Sequence, residues 1–186
     1  VSIQTLAVPG ASKEGFVSRD ALGDLARSQS AEAFARQYAF PALFVVDITT
    51  GGSASRGDAD ATLRDGPQLM TLRLEGGNPL RYLHEVGFLV KRPGNPFPQF
   101  VSVGRAANND LVFALDSVSK FHGYFTHDGD EWALTDYRST NGIALNGRKL
   151  EPALATPVKN GDRILFGTNL LAEFLDPASL HAKLCG

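Results

Sequence analysis

The feature that most constrains the fold of this chain is the close spacing of turn signals through its C-terminal half. His127-Asp128-Gly129-Asp130, Thr140-Asn141-Gly142, Asn146-Gly147 and Lys159-Asn160-Gly161-Asp162 follow one another at short intervals. Between and around them lie short runs of β-forming residues at 111–113, 123–126, 132–136, 144–145, 149–150, 163–166 and 170–175. Asn-Gly is the strongest local hairpin signal, because a type I′ turn needs positive φ at both central residues. Many short strands with this punctuation predict a β-sandwich.

The N-terminal part reads differently. Residues 1–17 carry little pattern and are expected to be a tail or a lone strand. Ser18 is placed to cap a short helix with Asp20 in its first turn and Ala21, Leu22, Leu25 and Ala26 on one face. Ser30 is a second N-cap, followed by Ala31, Phe34, Ala35 and Tyr38 at amphipathic spacing, and Pro41 closes that helix. Residues 42–49 form a β-rich run. The glycine-containing polar stretch 51–66, with its Arg56-Gly57-Asp58 triplet, reads as a mobile loop. Residues 69–75 alternate as a half-buried strand does. Two further strands are expected at 85–91 and 100–103, with a proline-rich loop at 93–98 between them.

The expected organisation is therefore an N-terminal extension over residues 1–80, a sandwich domain over 81–176, and a short helix or tail over 177–186. The extension, with two short helices, two strands and the loop 51–66, would extend one sheet or cover one face. The fold class is all-β, with a short mixed helix and strand extension.

Composition excludes several function classes. The 186 residues are 43% hydrophobic and 20% charged with a formal net charge of −2, which argues against broad nucleic-acid binding. The longest apolar run, 42–48, falls far short of the roughly 20 residues of a membrane span. Cys185 is the only cysteine, so neither an internal disulfide nor a cysteine zinc site is available, and a reducing cytoplasm is the simplest setting. His84, His122, His127 and His181 are scattered without metal-ligand spacing, and Asp128-Gly129-Asp130 is too short for a calcium loop. No metal and no cofactor is expected. The chain begins at Val1 without a signal-peptide pattern, and the missing methionine suggests a trimmed chain.

Four landmarks occur in one order: Gly104-Arg105, then Ser119-Lys120-Phe121-His122, then Asp136-Tyr137-Arg138-Ser139-Thr140-Asn141-Gly142, then Asn146-Gly147 trailed by Asn160-Gly161-Asp162-Arg163-Ile164 and Phe166-Gly167. Each piece alone is weak. Together, over residues 85–176, they resemble the forkhead-associated (FHA) family. The resemblance implies a twisted sandwich of two β-sheets whose loops at one end bind a phosphothreonine peptide. Arg105 would then place its guanidinium on the phosphate, a role that suits its planar fork of donors. Ser119 would donate its hydroxyl to a second oxygen, and Thr140 would close the pocket from the facing loop. Asn141 would hold the peptide backbone, since an amide both donates and accepts. Lys120, where the family often has arginine or asparagine, would add a point charge. His122 resembles the family's structural histidine, Gly104 allows close packing, and Gly142 allows a turn without Cβ strain. Ile143 stands where threonine is frequent, a mild change.

Neighbouring peptide residues would be read from the same loops by Ser117, Arg138, Thr168 and Asn169, with Arg138 favouring an acidic residue. The implied partner is a phosphothreonine-containing protein, a Ser/Thr kinase or its substrate. Thr49, Thr50 or Thr62, if phosphorylated, would be internal ligands. The competing reading is a phosphate-independent structural or oligomerisation module. A hydrolase triad of Ser119, His122 and Asp136 is disfavoured, because a serine and a histidine three apart do not make a nucleophile elbow and no Gly-x-Ser-x-Gly is present.

Overall fold

The computed structural model describes residues 8–48, 79–95 and 97–186. The strand expected at 69–75, the loop 51–66 and the threonines 49, 50 and 62 lie outside the described residues. Twelve strands among the described residues form two sheets, flanked by three short helices.

The chain enters through β1 (Phe16–Ser18), α1 (Arg19–Ser28), α2 (Ala31–Gln37) and β2 (Ala42–Ile48). The two helices begin where their caps predict. The Ser18 hydroxyl accepts the Ala21 N–H at 3.4 Å, and the Ser30 hydroxyl accepts the Ala33 N–H at 3.3 Å. A 3-10 turn at Pro79–His84, which carries no clear sequence signal, leads into β3 (Glu85–Phe88). There follow β4 (Val101–Gly104), β5 (Leu111–Val112), β6 (Gly123–Asp128), β7 (Glu131–Asp136), β8 (Ile143–Leu145), β9 (Arg148–Lys149), β10 (Thr156–Val158), β11 (Arg163–Phe166) and β12 (Leu170–Leu175). The last helix, α3 (Pro177–Cys185), is capped by Asp176, whose carboxylate accepts the Ser179 N–H at 2.7 Å.

One sheet has seven strands in the order β1-β3-β2-β12-β11-β8-β9, every pair antiparallel. The other has five, β10-β7-β6-β4-β5, antiparallel except for the β4–β5 pair. At the Asn146-Gly147 turn between β8 and β9, φ is 50° and 80°, the two positive values a type I′ turn requires.

Side-chain alternation distributes the core. Leu43 and Val45 of β2 join Val101, Val103, Phe125, Leu134, Ile164 and Phe166 between the sheets, all fully buried. Ala42 and Phe44, on the opposite face of β2, belong to a second cluster with Leu22, Phe34, Tyr38, Phe88, Leu180 and Leu184. The helices thus cover the outer face of the seven-stranded sheet. A strand buried on both faces has no polar side to show, which is why 42–46 reads as a continuous apolar run. Complete burial of a side chain such as Phe34 contributes about 1.5–3 kcal/mol. Among the described residues no helix is long and apolar enough to cross a membrane.

An ion pair lies beneath the loop that follows β4. The Lys91 ammonium is 2.7 Å from Asp110, and their side chains are 2% and 0% exposed. Asp110 also accepts the N–H of Ser102 at 2.8 Å and of Arg92 at 2.9 Å, while Lys91 donates to the Phe100 carbonyl at 3.0 Å. A buried pair of charges is tolerable only when its remaining hydrogen-bonding capacity is met in this way.

Candidate functional site

Four connections contribute to one site: those after β4, before β6, between β7 and β8, and between β11 and β12. Backbone hydrogen bonds join the first two. Arg105 N–H donates to Ser119 O at 2.9 Å, and Ala106 N–H donates to Lys120 O at 3.0 Å. Asn109 reinforces the junction, its side-chain amide donating to Ala106 O at 2.8 Å and Lys120 O at 2.7 Å. Gly104 permits the approach, since a Cβ there would stand 2.5 Å from Lys120 O.

His122 joins the second connection to the third. Its Nδ1 accepts the Ser119 N–H at 2.9 Å, so the ring proton belongs on Nε2, which donates to Gly142 O at 3.1 Å. The ring is fully buried, and burial pushes its pKa below the ordinary histidine value, against the opposing pull of Gly142 O and Asp136. Both ring nitrogens are thereby committed to backbone groups rather than to the Ser119 hydroxyl.

Asp136 shapes the third connection from below. It is buried, and its two carboxylate oxygens accept the N–H groups of Ser139 at 2.8 Å and Ile143 at 3.0 Å. Ser139 Oγ accepts the Gly142 N–H at 3.0 Å, and Arg138 takes a left-handed conformation with φ 52°. Thr140 is carried across to the serine. The Ser119 hydroxyl accepts the Thr140 N–H at 3.0 Å and donates towards Thr140 Oγ1 at 3.3 Å. Asn141 reaches back with its amide, donating to Ser117 O at 2.9 Å.

The Arg105 side chain is held at one point, its Nε donating to Val118 O at 3.1 Å. Its Nη1 is 3.9 Å from Asp116, a loose pair on a guanidinium side chain that remains 42% exposed. Lys120 is exposed beside Ser119. Of the four residues expected to read flanking peptide positions, Ser117 and Asn169 are hydrogen-bonded to each other, while Arg138 and Thr168 are exposed. Gly167 brings the fourth connection against the second, because a Cβ there would stand 2.3 Å from Ser117 O.

The structure therefore joins Ser119 to Thr140 and Asn141 to Ser117, with Arg105 tied to the same segment through Val118 O and Ser119 O. Guanidinium, ammonium, hydroxyls and amide suit an anionic, hydrogen-bond-accepting ligand. Asn109, Asp136 and Gly167 organise the site without being singled out for it in the sequence. The Asp136–Ser139 spacing, a carboxylate capping an N–H three residues on, was the one available signal.

Arg105, Ser119, Thr140 and Asn141 all fall within a stretch that matches known proteins in sequence. The family model for the FHA domain matches residues 101–167. FHA domain-containing protein FhaB of Mycobacterium tuberculosis is 36% identical over 66 residues, covering 36% of this chain and 43% of FhaB. The transcriptional regulatory protein EmbR of the same organism is 26% identical over 92 residues, covering 48% of this chain and 22% of EmbR. The matched region thus spans less than half of either relative. Among solved structures, the N-terminal FHA domain of Rad53p from S. cerevisiae, in complex with a phosphothreonine peptide, is 24% identical with a TM-score of 0.41, covering 46% of this chain and 74% of that one. Two antiparallel-rich sheets, the ordered loop motifs and the family match identify an FHA domain within this chain, matched over residues 101–167.

Proposed function

We propose that this chain is a phosphothreonine-dependent peptide-binding module acting in cytoplasmic Ser/Thr kinase signalling, its partner a phosphorylated kinase or kinase substrate. FHA domains bind phosphothreonine peptides, and the observation that carries the reading here is the Arg105–Ser119–Thr140 arrangement. An exposed guanidinium anchored through Nε, beside a hydroxyl held by a facing threonine, offers donors on two sides of an incoming phosphate. The phosphate, carrying about −1.5 to −2 charges at neutral pH, would replace the loose 3.9 Å pairing of Arg105 with Asp116. Lys120 adds attraction from the rim, and the Asn141 amide would exchange Ser117 O for the peptide main chain.

The test is a titration of the full chain with one peptide in three forms: phosphothreonine, phosphoserine and unphosphorylated threonine. Binding should be confined to the phosphorylated forms, strongest for phosphothreonine, and lost in Arg105→Ala. Equal binding to all three forms by a folded protein would remove the proposal and leave the phosphate-independent module in its place.

A further inference from the structure

The two sheets are finished differently on the outside. Helices cover the outer face of the seven-stranded sheet, whereas the outer face of the five-stranded sheet carries aromatic rings. In the row formed by Ser102, Tyr124 and Thr135 across β4, β6 and β7, Tyr124 points away from the core that its neighbour Phe125 enters. Around Tyr124 stand four more rings: Phe97, Phe100, Phe121 and Tyr137. Centroid separations are 4.6 Å for Phe100–Tyr124, 4.9 Å for Phe121–Tyr137, 5.3 Å for Phe97–Phe100 and 5.9 Å for Phe100–Phe121. Tyr137 is 59% exposed and Phe97 is 42% exposed. Five rings touching one another at the surface form a contiguous apolar patch of the kind that marks an interaction site.

The patch is continuous with the phosphate-binding loops. Phe121 follows Ser119 by two residues, and Tyr137 precedes Thr140 by three. Its border on that side is cationic, because Lys120 and Arg138, both exposed, are the chain neighbours of Phe121 and Tyr137. We infer that this aromatic platform is a second docking surface for the same phosphothreonine-bearing partner, receiving an apolar or aromatic side chain from a segment flanking the phosphothreonine, with acidic residues between the two anchors. The inference rests on the phosphothreonine reading above. Continuity with the pocket and the cationic border select this occupant. A ligand already held by its phosphate, and carrying acidic residues, would pass Lys120 and Arg138 before reaching the rings. An extended peptide advances about 3.3–3.6 Å per residue, so an anchor beyond Lys120 and Arg138 would lie several residues from the phosphothreonine.

The experiment uses the full chain and a phosphothreonine peptide library randomised at six positions on either side. The wild type should select an apolar or aromatic residue at a position more than three residues from the phosphothreonine on one side. Phe97→Ala/Tyr137→Ala should lose that preference and bind the selected long peptide about tenfold more weakly, an amount in keeping with two aromatic anchors. A short phosphothreonine peptide ending three residues from the phosphate should bind wild type and double variant alike. An unchanged profile in the variant, or no distal selection by a wild type that still binds phosphothreonine, would overturn the platform while leaving the pocket intact. Absence of all phosphothreonine binding would overturn both. Sedimentation of the two proteins gives the other decisive outcome: self-association of the wild type that the double variant abolishes would assign the platform to a second copy of this chain and overturn the proposal.

Discussion

Nδ1 of His122 accepts the Ser119 N–H at 2.9 Å, so the position of the Ser119 hydroxyl is set by an imidazole buried three residues away. The same ring donates to Gly142 O, and it therefore spaces the serine connection from the Thr140–Asn141 connection. Replacement by alanine leaves the half-buried Ser119 N–H and the buried Gly142 O without these partners, at about 1–3 kcal/mol each. His122→Ala should therefore lower the unfolding free energy obtained from urea denaturation by about 2–6 kcal/mol and weaken phosphopeptide binding, although both ring nitrogens are committed to backbone groups.

The same histidine predicts a pH dependence. Burial lowers its pKa in the folded protein, so the folded state keeps it neutral while the unfolded chain takes up a proton below about 6.5. The unfolded state binds more protons in that window, and stability falls as pH drops from about 6.5 towards the lower native value. Thermal denaturation at pH 7.5, 6.5 and 5.5 should show this loss in the wild type, and the loss should be smaller in His122→Gln.

Arg105 should be separable from folding. It is partly exposed and makes one side-chain hydrogen bond, to Val118 O. Arg105→Ala is expected to change stability by less than about 1 kcal/mol while reducing phosphopeptide affinity at least tenfold, since a hydrogen bond to a charged group is worth roughly 1.5–3 kcal/mol. Arg105→Lys should restore only part of the affinity, because an ammonium lacks the fork. Calorimetry of binding and of unfolding on the same samples separates the two effects.

The Lys91–Asp110 pair should matter to stability far more than an exposed ion pair does. Removing one partner of a buried pair costs about 3–5 kcal/mol, because the other charge stays buried. Lys91→Met should destabilise by that amount in urea denaturation. Asp110→Ala should be at least as severe, because the backbone N–H groups of Ser102 and Arg92 lose their acceptor as well.

Gly104 provides a test of close approach. A methyl group there would meet Lys120 O at 2.5 Å and the Asn109 amide at 2.8 Å, both part of the junction that supports Arg105 and Ser119. Gly104→Ala should cost about 1–3 kcal/mol as an overpacking change. It should also lower phosphopeptide affinity more than its stability loss explains. Titration well below the unfolding temperature checks this.

The sequence made the sandwich legible where local chemistry was sufficient. Asn146-Gly147 announced its hairpin, Ser18 and Ser30 announced their helices, and strands β11 and β12 lie where the pattern placed them. Elements held chiefly by distant partners were harder to see. β1 has three residues and exists by pairing with β3, some 70 positions on. β10 carries Pro157 at an outer edge of its sheet, where the missing N–H is tolerated, and its partner is β7. The candidate site was legible only as an ordered set of residues. Of its supports, Asp136 was signalled only by its spacing from Ser139, while Asn109 and Gly167 act on backbone groups that spacing does not reveal. The aromatic platform was unreadable because Phe97, Phe100, Phe121, Tyr124 and Tyr137 come from three separate stretches that only the sheet brings together.

The place of β2 between β3 and β12 bears on how such a chain can be divided. The family match ends at residue 167, before β12 begins at Leu170, and β12 pairs along its whole length with a strand drawn from residues 42–48. A fragment cut to the matched region would lose four neighbouring strands of the seven-stranded sheet, β1, β3, β2 and β12, and one cut to residues 85–176 would leave β12 with a bare apolar edge open to other chains. The segment that similarity recognises is smaller than the segment that must be synthesised together for the loops bearing Arg105, Ser119 and Thr140 to be held in place.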